Sequence, residues 1–279
     1  MIRAILMTGL IGITCAFLSC FITLKGWSLM GDALSHSVVP GVALAYYLKF
    51  PFSIGAFLTG LLAALSMSLI KVKSKLKEDA IIGIVFTTFL AIGIFLLSIF
   101  PSQIQIQTIV LGNVLSISDM DIQQVLIISS ITFCFFLFQW KNLLVFCFDP
   151  IFARTVGLNT IFLHVLLLAL LSATAVAALK AVGACLVVAM LITPGATAYL
   201  LTKQFSKMLF ISTTLGFFSS VFGAYFSFFF DGATGGCIVL LQSCFFIIAL
   251  YYSSHKNKKS QKIILENSNI SSESLGPTL

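Results

Sequence analysis

Long apolar runs, broken only by short polar clusters, dominate this chain. A helix needs about 20 apolar residues to cross a bilayer. Nine stretches approach that length: about 3–24, 30–48, 52–70, 80–100, 121–138, 160–179, 183–201, 207–229 and 233–252. Several are short, and the breaks at 180–183 and 230–232 are tight, so eight spans plus a re-entrant piece fit the same pattern. The runs are continuous and do not alternate apolar with polar positions, which excludes a closed membrane barrel. The pattern predicts an all-α, polytopic transmembrane bundle over residues 1–252, followed by a polar, flexible tail over 253–279. The run after Arg3 has no small-x-small cleavage site behind it and reads as a retained first span.

Composition agrees. The chain is 59% hydrophobic and 9% charged, where a soluble domain carries roughly 25% charged residues, and its mean hydropathy is +1.10. The 28 Phe suit contact with lipid and between helices. A net charge of +7 would also suit nucleic acid, but the basic residues gather in short loops, as a cytoplasmic membrane face requires, so no nucleic-acid partner is expected. The seven Cys form no CxxC and sit mostly inside apolar runs, where Cys acts as a small apolar residue. With the Lys71–Lys77 loop inside, 13 of the 16 Lys and Arg fall inside and only Arg3, Lys49 and Lys180 outside. That asymmetry places the N-terminus out and the C-terminus in. Asp119, Asp121 and Asp231 then form an acidic outer mouth that raises the local cation concentration. The outer connection 101–119 alternates Gln103, Gln105 and Gln107 with Ile; a docking face for an external partner and a plain surface loop both fit it.

Against this apolar background one polar stretch stands out, Gly31 to Gly41. Asp32 and His36 are four residues apart, one turn of helix on one face. Pro40 and Gly41 weaken the helix just beyond them. A carboxylate and an imidazole on one face suit a divalent transition metal, and ionisable groups at membrane depth usually face a protein interior or a wet path. The residues alone leave a second reading open, in which Asp32 caps a helix and His36 bonds a neighbouring backbone. Further on, Asp149 can cap a helix with Pro150 at its first position and Gly157 at its end. The result is a short amphipathic cytoplasmic helix whose Ile151, Phe152 and Val156 need a surface to cover them. That surface is the chain's own spans and lipid, or another protein. Pro194 and Gly195 predict a broken or kinked helix, beside a cavity or as a packing kink. Asp231 caps the last span or adds a third metal-attracting acid.

Taken in order, these pieces resemble the membrane permeases of ATP-binding-cassette (ABC) importers for manganese, zinc and iron. The residues that carry the resemblance are Ser28 to His36 with Pro40-Gly41, Lys77-Glu78-Asp79 before Ile82 to Phe86, Leu111-Gly112-Asn113, Asp149 to Leu158, Val182-Gly183, Leu191 to Pro194, and the Asp231 turn with Thr234-Gly235. The match covers about residues 3 to 250. The resemblance implies the type II, vitamin B12 importer-like permease architecture of eight or nine spans in a bacterial inner membrane. It implies a second permease subunit, identical or different, two cytoplasmic ATPases and an extracytoplasmic metal-binding protein. Asp32 and His36, with Asp231, would contact the metal, and Asp149, Pro150, Ala153, Arg154 and Gly157 would belong to the ATPase-coupling segment. Pro40, Gly41, Pro194 and Gly195 would break helices along the pathway.

The chain has no G-x-x-x-x-G-K-[ST] phosphate loop, so it is expected to be a transporter subunit and not itself an enzyme, with ATP hydrolysed on another chain. No permanently bound cofactor is expected; the metal is cargo. An ion-coupled secondary transporter is the alternative, since it too would use an intramembrane acid and histidine. A membrane-embedded metalloenzyme would need a fuller ligand set such as H-E-x-x-H, which is missing.

Overall fold

The computed structural model describes residues 2–27, 29–50, 52–99, 119–230 and 232–274, and every regular element in them is helical. The helices are α1 (Ile2–Lys25), α2 (Met30–Ser37), α3 (Val39–Tyr47), α4 (Phe52–Lys73), α5 (Glu78–Ile99), α6 (Asp119–Phe148), α7 (Pro150–Thr155), α8 (Thr160–Val182), α9 (Ala184–Leu201), α10 (Phe205–Phe229) and α11 (Thr234–Ser274). Seven of them, α1, α4, α5, α6, α8, α10 and α11, are long and apolar enough to cross a membrane. Of the remaining two stretches, 30–48 is split into helices of 8 and 9 residues, and α9 is an apolar helix of 18 residues, so the arrangement is consistent with eight spans plus a broken piece. The motif Leu111-Gly112-Asn113, the Gln-rich connection and Asp231 lie outside the described residues.

Helix α1 is the hub. It packs on α9 and α10 along one side and on α6 along another, while α11 closes over α9 and α10. A second group, α2 to α5 with α8, joins through α6–α8 and α9–α2 contacts. Leu18, Phe21 and Ile22 of α1, and Trp27 just after it, are fully buried. Lipid supplies no hydrophobic drive between helices, so close packing of small residues and cross-helix hydrogen bonds take its place. Ser212, Gly216, Ser219 and Ser220 of α10 are buried; Ser212 Oγ–H donates to the Ala16 carbonyl at 2.7 Å. Thr14 Oγ1–H donates to Ser129 Oγ of α6 at 3.1 Å. Phe outside this core is largely exposed, as lipid contact requires.

The break between α2 and α3 falls at Val38, just beyond the Asp32/His36 turn and just before Pro40. Proline has no N–H for the carbonyl four residues back, which here is His36, and the Val38 N–H turns to that carbonyl instead. Gly41 serves a close approach. A Cβ there would lie 2.1 Å from the Gly55 carbonyl oxygen of α4, and one on Gly55 would lie 2.4 Å from the Gly41 oxygen. Pro194, expected to break or kink its helix, does not end it: α9 runs through it. The reason is on α1, where Ser19 Oγ–H donates to the Ile192 carbonyl at 3.1 Å and Ser19 Oγ accepts the Gly195 N–H at 2.9 Å. The neighbouring helix satisfies backbone that the proline leaves loose. The real interruption of that region is at Gly183, whose φ of +83° separates α8 from α9. Helix α11 continues to Ser274 with no break at the 252–253 boundary, since no Gly or Pro interrupts the sequence between Gly236 and Gly276.

The α3–α4 contact is the tightest constraint near the polar stretch. Gly41→Val is expected to lower stability by about 1–3 kcal/mol through overpacking. Gly236→Ala, where an added Cβ meets nothing within 4 Å, is expected to change it by less than about 1 kcal/mol. Thermal unfolding of the purified variants in detergent compares them directly.

Candidate functional site: a cation face and a polar base

Helix α2 buries Met30, Gly31, Ala33, Leu34, Ser35 and Ser37. Its open face is Asp32 and His36, with side chains 41% and 35% exposed. His36 Nε2 lies 3.3 Å from Asp32 Oδ1, so the predicted one-turn pair is formed. The alternative that Asp32 caps the helix fails, because Asp32 lies inside α2 and no side chain caps its N-terminus. The Phe86 ring of α5 stands 5.4 Å from the His36 ring and backs it. Phe86 is two turns into α5 from Glu78, roughly 12 Å along the axis, which sets His36 well inside the bundle. Among the described residues no three His, Cys, Asp or Glu side chains converge on one point. One chain therefore brings two donors, a carboxylate and an imidazole, to an open face; this donor set suits a divalent transition metal but leaves its coordination incomplete. Pro40 and Gly41 are buried behind this face, and Pro194 and Gly195 are buried against α1.

A second polar group gathers where α1, α4 and α6 end and α5 and α8 begin. The Glu78 carboxylate accepts hydrogen bonds from Trp27 Nε1–H and from Lys71 Nζ. His164 of α8 meets the Trp27 ring edge-on at 5.2 Å and the Phe146 ring at 6.1 Å. Lys25 Nζ donates to the Phe146 carbonyl at 3.4 Å and sits 4.2 Å over its ring. A cavity of ≈ 20 Å³ lies between Trp27, Met30, Met67, Glu78 and His164, large enough for about one water. One carboxylate thus ties the α1–α2 turn to α4 and α5, beneath the Asp32/His36 face. Sequence reasoning missed this group because Trp27, Lys71, Glu78 and His164 come from separate elements, and the bonds to Glu78 span 51 and 7 residues. The signal available was the acidic pair Glu78-Asp79 closing the basic Lys71–Lys77 loop. Burial pushes the neighbouring Cys147 thiol up to about 12, so it stays protonated and packs as a small apolar side chain.

The short α7 follows directly from α6. Asp149 accepts the Ile151 and Phe152 N–H groups at 2.8 and 3.1 Å, with Pro150 at the first turn. Gly157 takes a φ of +84° just past the end, which a residue with Cβ resists. Ala153 is fully buried, and Arg154 Nε–H donates to Thr160 Oγ1 at 3.0 Å, pinning α7 to α8. Ile151, Phe152 and Val156 remain 76%, 56% and 60% exposed. Neither the chain's own spans nor the helix itself covers them.

The ABC 3 transport family matches residues 1–253. The chain is 52% identical over 253 residues to the chelated iron transport system membrane protein YfeC of Yersinia pestis, covering 91% of this chain and 86% of that one. It is 50% identical over 250 residues to the manganese transport system membrane protein MntB of Synechocystis, covering 90% and 82%. Among solved structures, PsaBC from Streptococcus pneumoniae in complex with Fab superposes with a TM-score of 0.79 at 41% identity, covering 88% of this chain and 89% of that one. An inward-facing putative metal-chelate type ABC transporter gives 0.63 at 18% identity, covering 88% and 85%, a likeness of fold. The helical bundle has the ABC permease architecture implied by the sequence motifs. This chain, a multi-pass membrane protein, belongs to the ABC 3 transport family.

Proposed function

We propose that this chain is the permease subunit of an ATP-driven importer that carries a divalent transition metal, manganese, zinc or iron, across a bacterial inner membrane. The open Asp32/His36 face on an otherwise buried helix carries this reading. The relatives named for iron and manganese support the class of cargo. Two donors per chain favour a site completed by a second permease subunit, which would bring two more. Such a site holds the ion weakly enough to release it. An extracytoplasmic metal-binding protein delivers the cargo, and separate cytoplasmic ATPases supply the energy. The C-terminus lies on the cytoplasmic side with Lys71 to Lys77. Asp231 remains a candidate third acid at the outer mouth.

The ATPase would seat on the uncovered Ile151, Phe152 and Val156 of α7. Asp149, Pro150 and Gly157 shape that segment, and Ala153 and Arg154 hold it to α6 and α8. Movement of α7 reaches the cation face through Phe146, His164, Trp27 and Glu78. Glu78 is then a positioning residue. The uncovered α7 face favours an ATP-driven importer over an ion-coupled carrier, and uptake into proteoliposomes that does not need ATP would reverse that choice.

Asp32→Ala and His36→Ala are each expected to lower ATP-driven metal uptake by about tenfold or more, the loss of a donor from an incomplete set. The double variant should be little worse than either single one, because the pair acts as a unit. Uptake unchanged in all three would reject the site. Ile151→Asp with Val156→Asp should abolish co-purification of the ATPase and leave metal binding at Asp32/His36 intact; retained co-purification would remove α7 from the interface. Glu78→Gln should uncouple the complex, with ATP hydrolysis retained and uptake reduced about tenfold, the loss of one charge-assisted contact; equal loss of both activities would indicate a purely structural role.

A further inference from the structure

A groove of ≈ 280 Å³ runs along α1 between α6 and α10. Phe17 and Phe21 form its floor, Phe133 and Trp140 one wall, Phe205 and Leu209 the other. The floor and wall rings meet at 5.5 Å (Phe17–Phe133) and 5.1 Å (Phe21–Phe205). Helices α6 and α10 both pack on α1 but hardly on each other, so the groove stays open between them. From Phe133 to Trp140 it follows α6 for roughly 10 Å. Any occupant of that length must be apolar.

One end of the groove is cationic. Lys141 Nζ lies 5.8 Å from the Trp140 ring centre, and exposed Lys203 and Lys207 flank Phe205 and Ser206. The three helices that line the groove bring no acid to this end: α1 contains none, α6 contains none after Asp121, and α10 contains none. The apolar window of α6 ends at Phe136 and that of α10 begins at Phe205. Trp140, Lys141 and Lys203 therefore stand at the level of lipid headgroups, where Trp and Lys are favoured. The Asp32/His36 face lies beside α5, whereas the groove is bounded by α1, α6 and α10.

We propose that the groove is a site for one anionic phospholipid per chain, with an acyl chain along the Phe17–Phe133 seam and the headgroup phosphate among Lys141, Lys203 and Lys207. The lipid fills the gap beside the end of α6, which leads straight into α7, and so braces the segment on which the transport reading depends. Its binding does not itself require that reading.

The test is native mass spectrometry of the full-length protein released from nanodiscs of equal phosphatidylglycerol and phosphatidylethanolamine with identical chains. The wild type should retain one lipid per chain and prefer phosphatidylglycerol by about tenfold, given three lysines at the headgroup level. Lys141→Ala with Lys203→Ala and Lys207→Ala should bring that preference to near unity without loss of bound lipid. Ser206→Trp, which fills the groove from its rim, should lose lipid of both kinds. If the triple variant does not fold, Lys141→Gln should reduce the preference by a measurable part. Equal retention of the two lipids by the wild type, an unchanged preference in the lysine variants, or disulfide cross-linking of Ser206→Cys to a second copy across the groove would overturn the site. Metal binding at Asp32/His36, measured on the same samples, reports separately on the transport reading.

Discussion

Backbone hydrogen bonding without water governs this structure. Inside a bilayer every N–H and C=O must find a partner within the protein, and each departure from continuous helix here has an identifiable partner. At Pro194 the partner is Ser19, one hydroxyl that both donates to α9 and accepts from it. Around Pro40 it is a local turn, with the Val38 N–H on the His36 carbonyl. The two prolines therefore do different things. One is absorbed into a helix by its neighbour. The other splits a span and leaves a short helix free to bury three-quarters of its residues while presenting an acid and an imidazole.

The same constraint explains why α1 is the hub. Close approach of helices, not apolar attraction, holds a bundle together in lipid. Ser19, Thr14 and the Ala16 carbonyl of α1 each bond a different neighbour. The end of α1 then enters the Trp27 turn, which is fastened to Glu78. A chain of short contacts joins α7, at the surface, to α2 in the interior.

Charge is distributed with the same economy. Glu78 is bonded by Lys71 and stands near Lys25, at the end of the basic Lys71–Lys77 loop. It is the local anchor for several helix ends. Asp32 and His36 are paired with each other but left half-open, which costs less than full burial and keeps their lone pairs available.

Much of this was legible in order along the chain. The nine apolar runs all fall on helices, because hydropathy and length suffice when the solvent is lipid. The Asp32/His36 pair and the Asp149 cap were legible because both are contacts within one turn, fixed by spacing alone. What tertiary structure decided is everything that depends on a neighbour: that Pro194 does not break α9, that Gly41 meets Gly55, that Trp27, Glu78 and His164 share one cavity, and that an aromatic groove opens along α1. Local geometry is written in a few adjacent residues. Partners that come from different helices become visible only once the helices are packed.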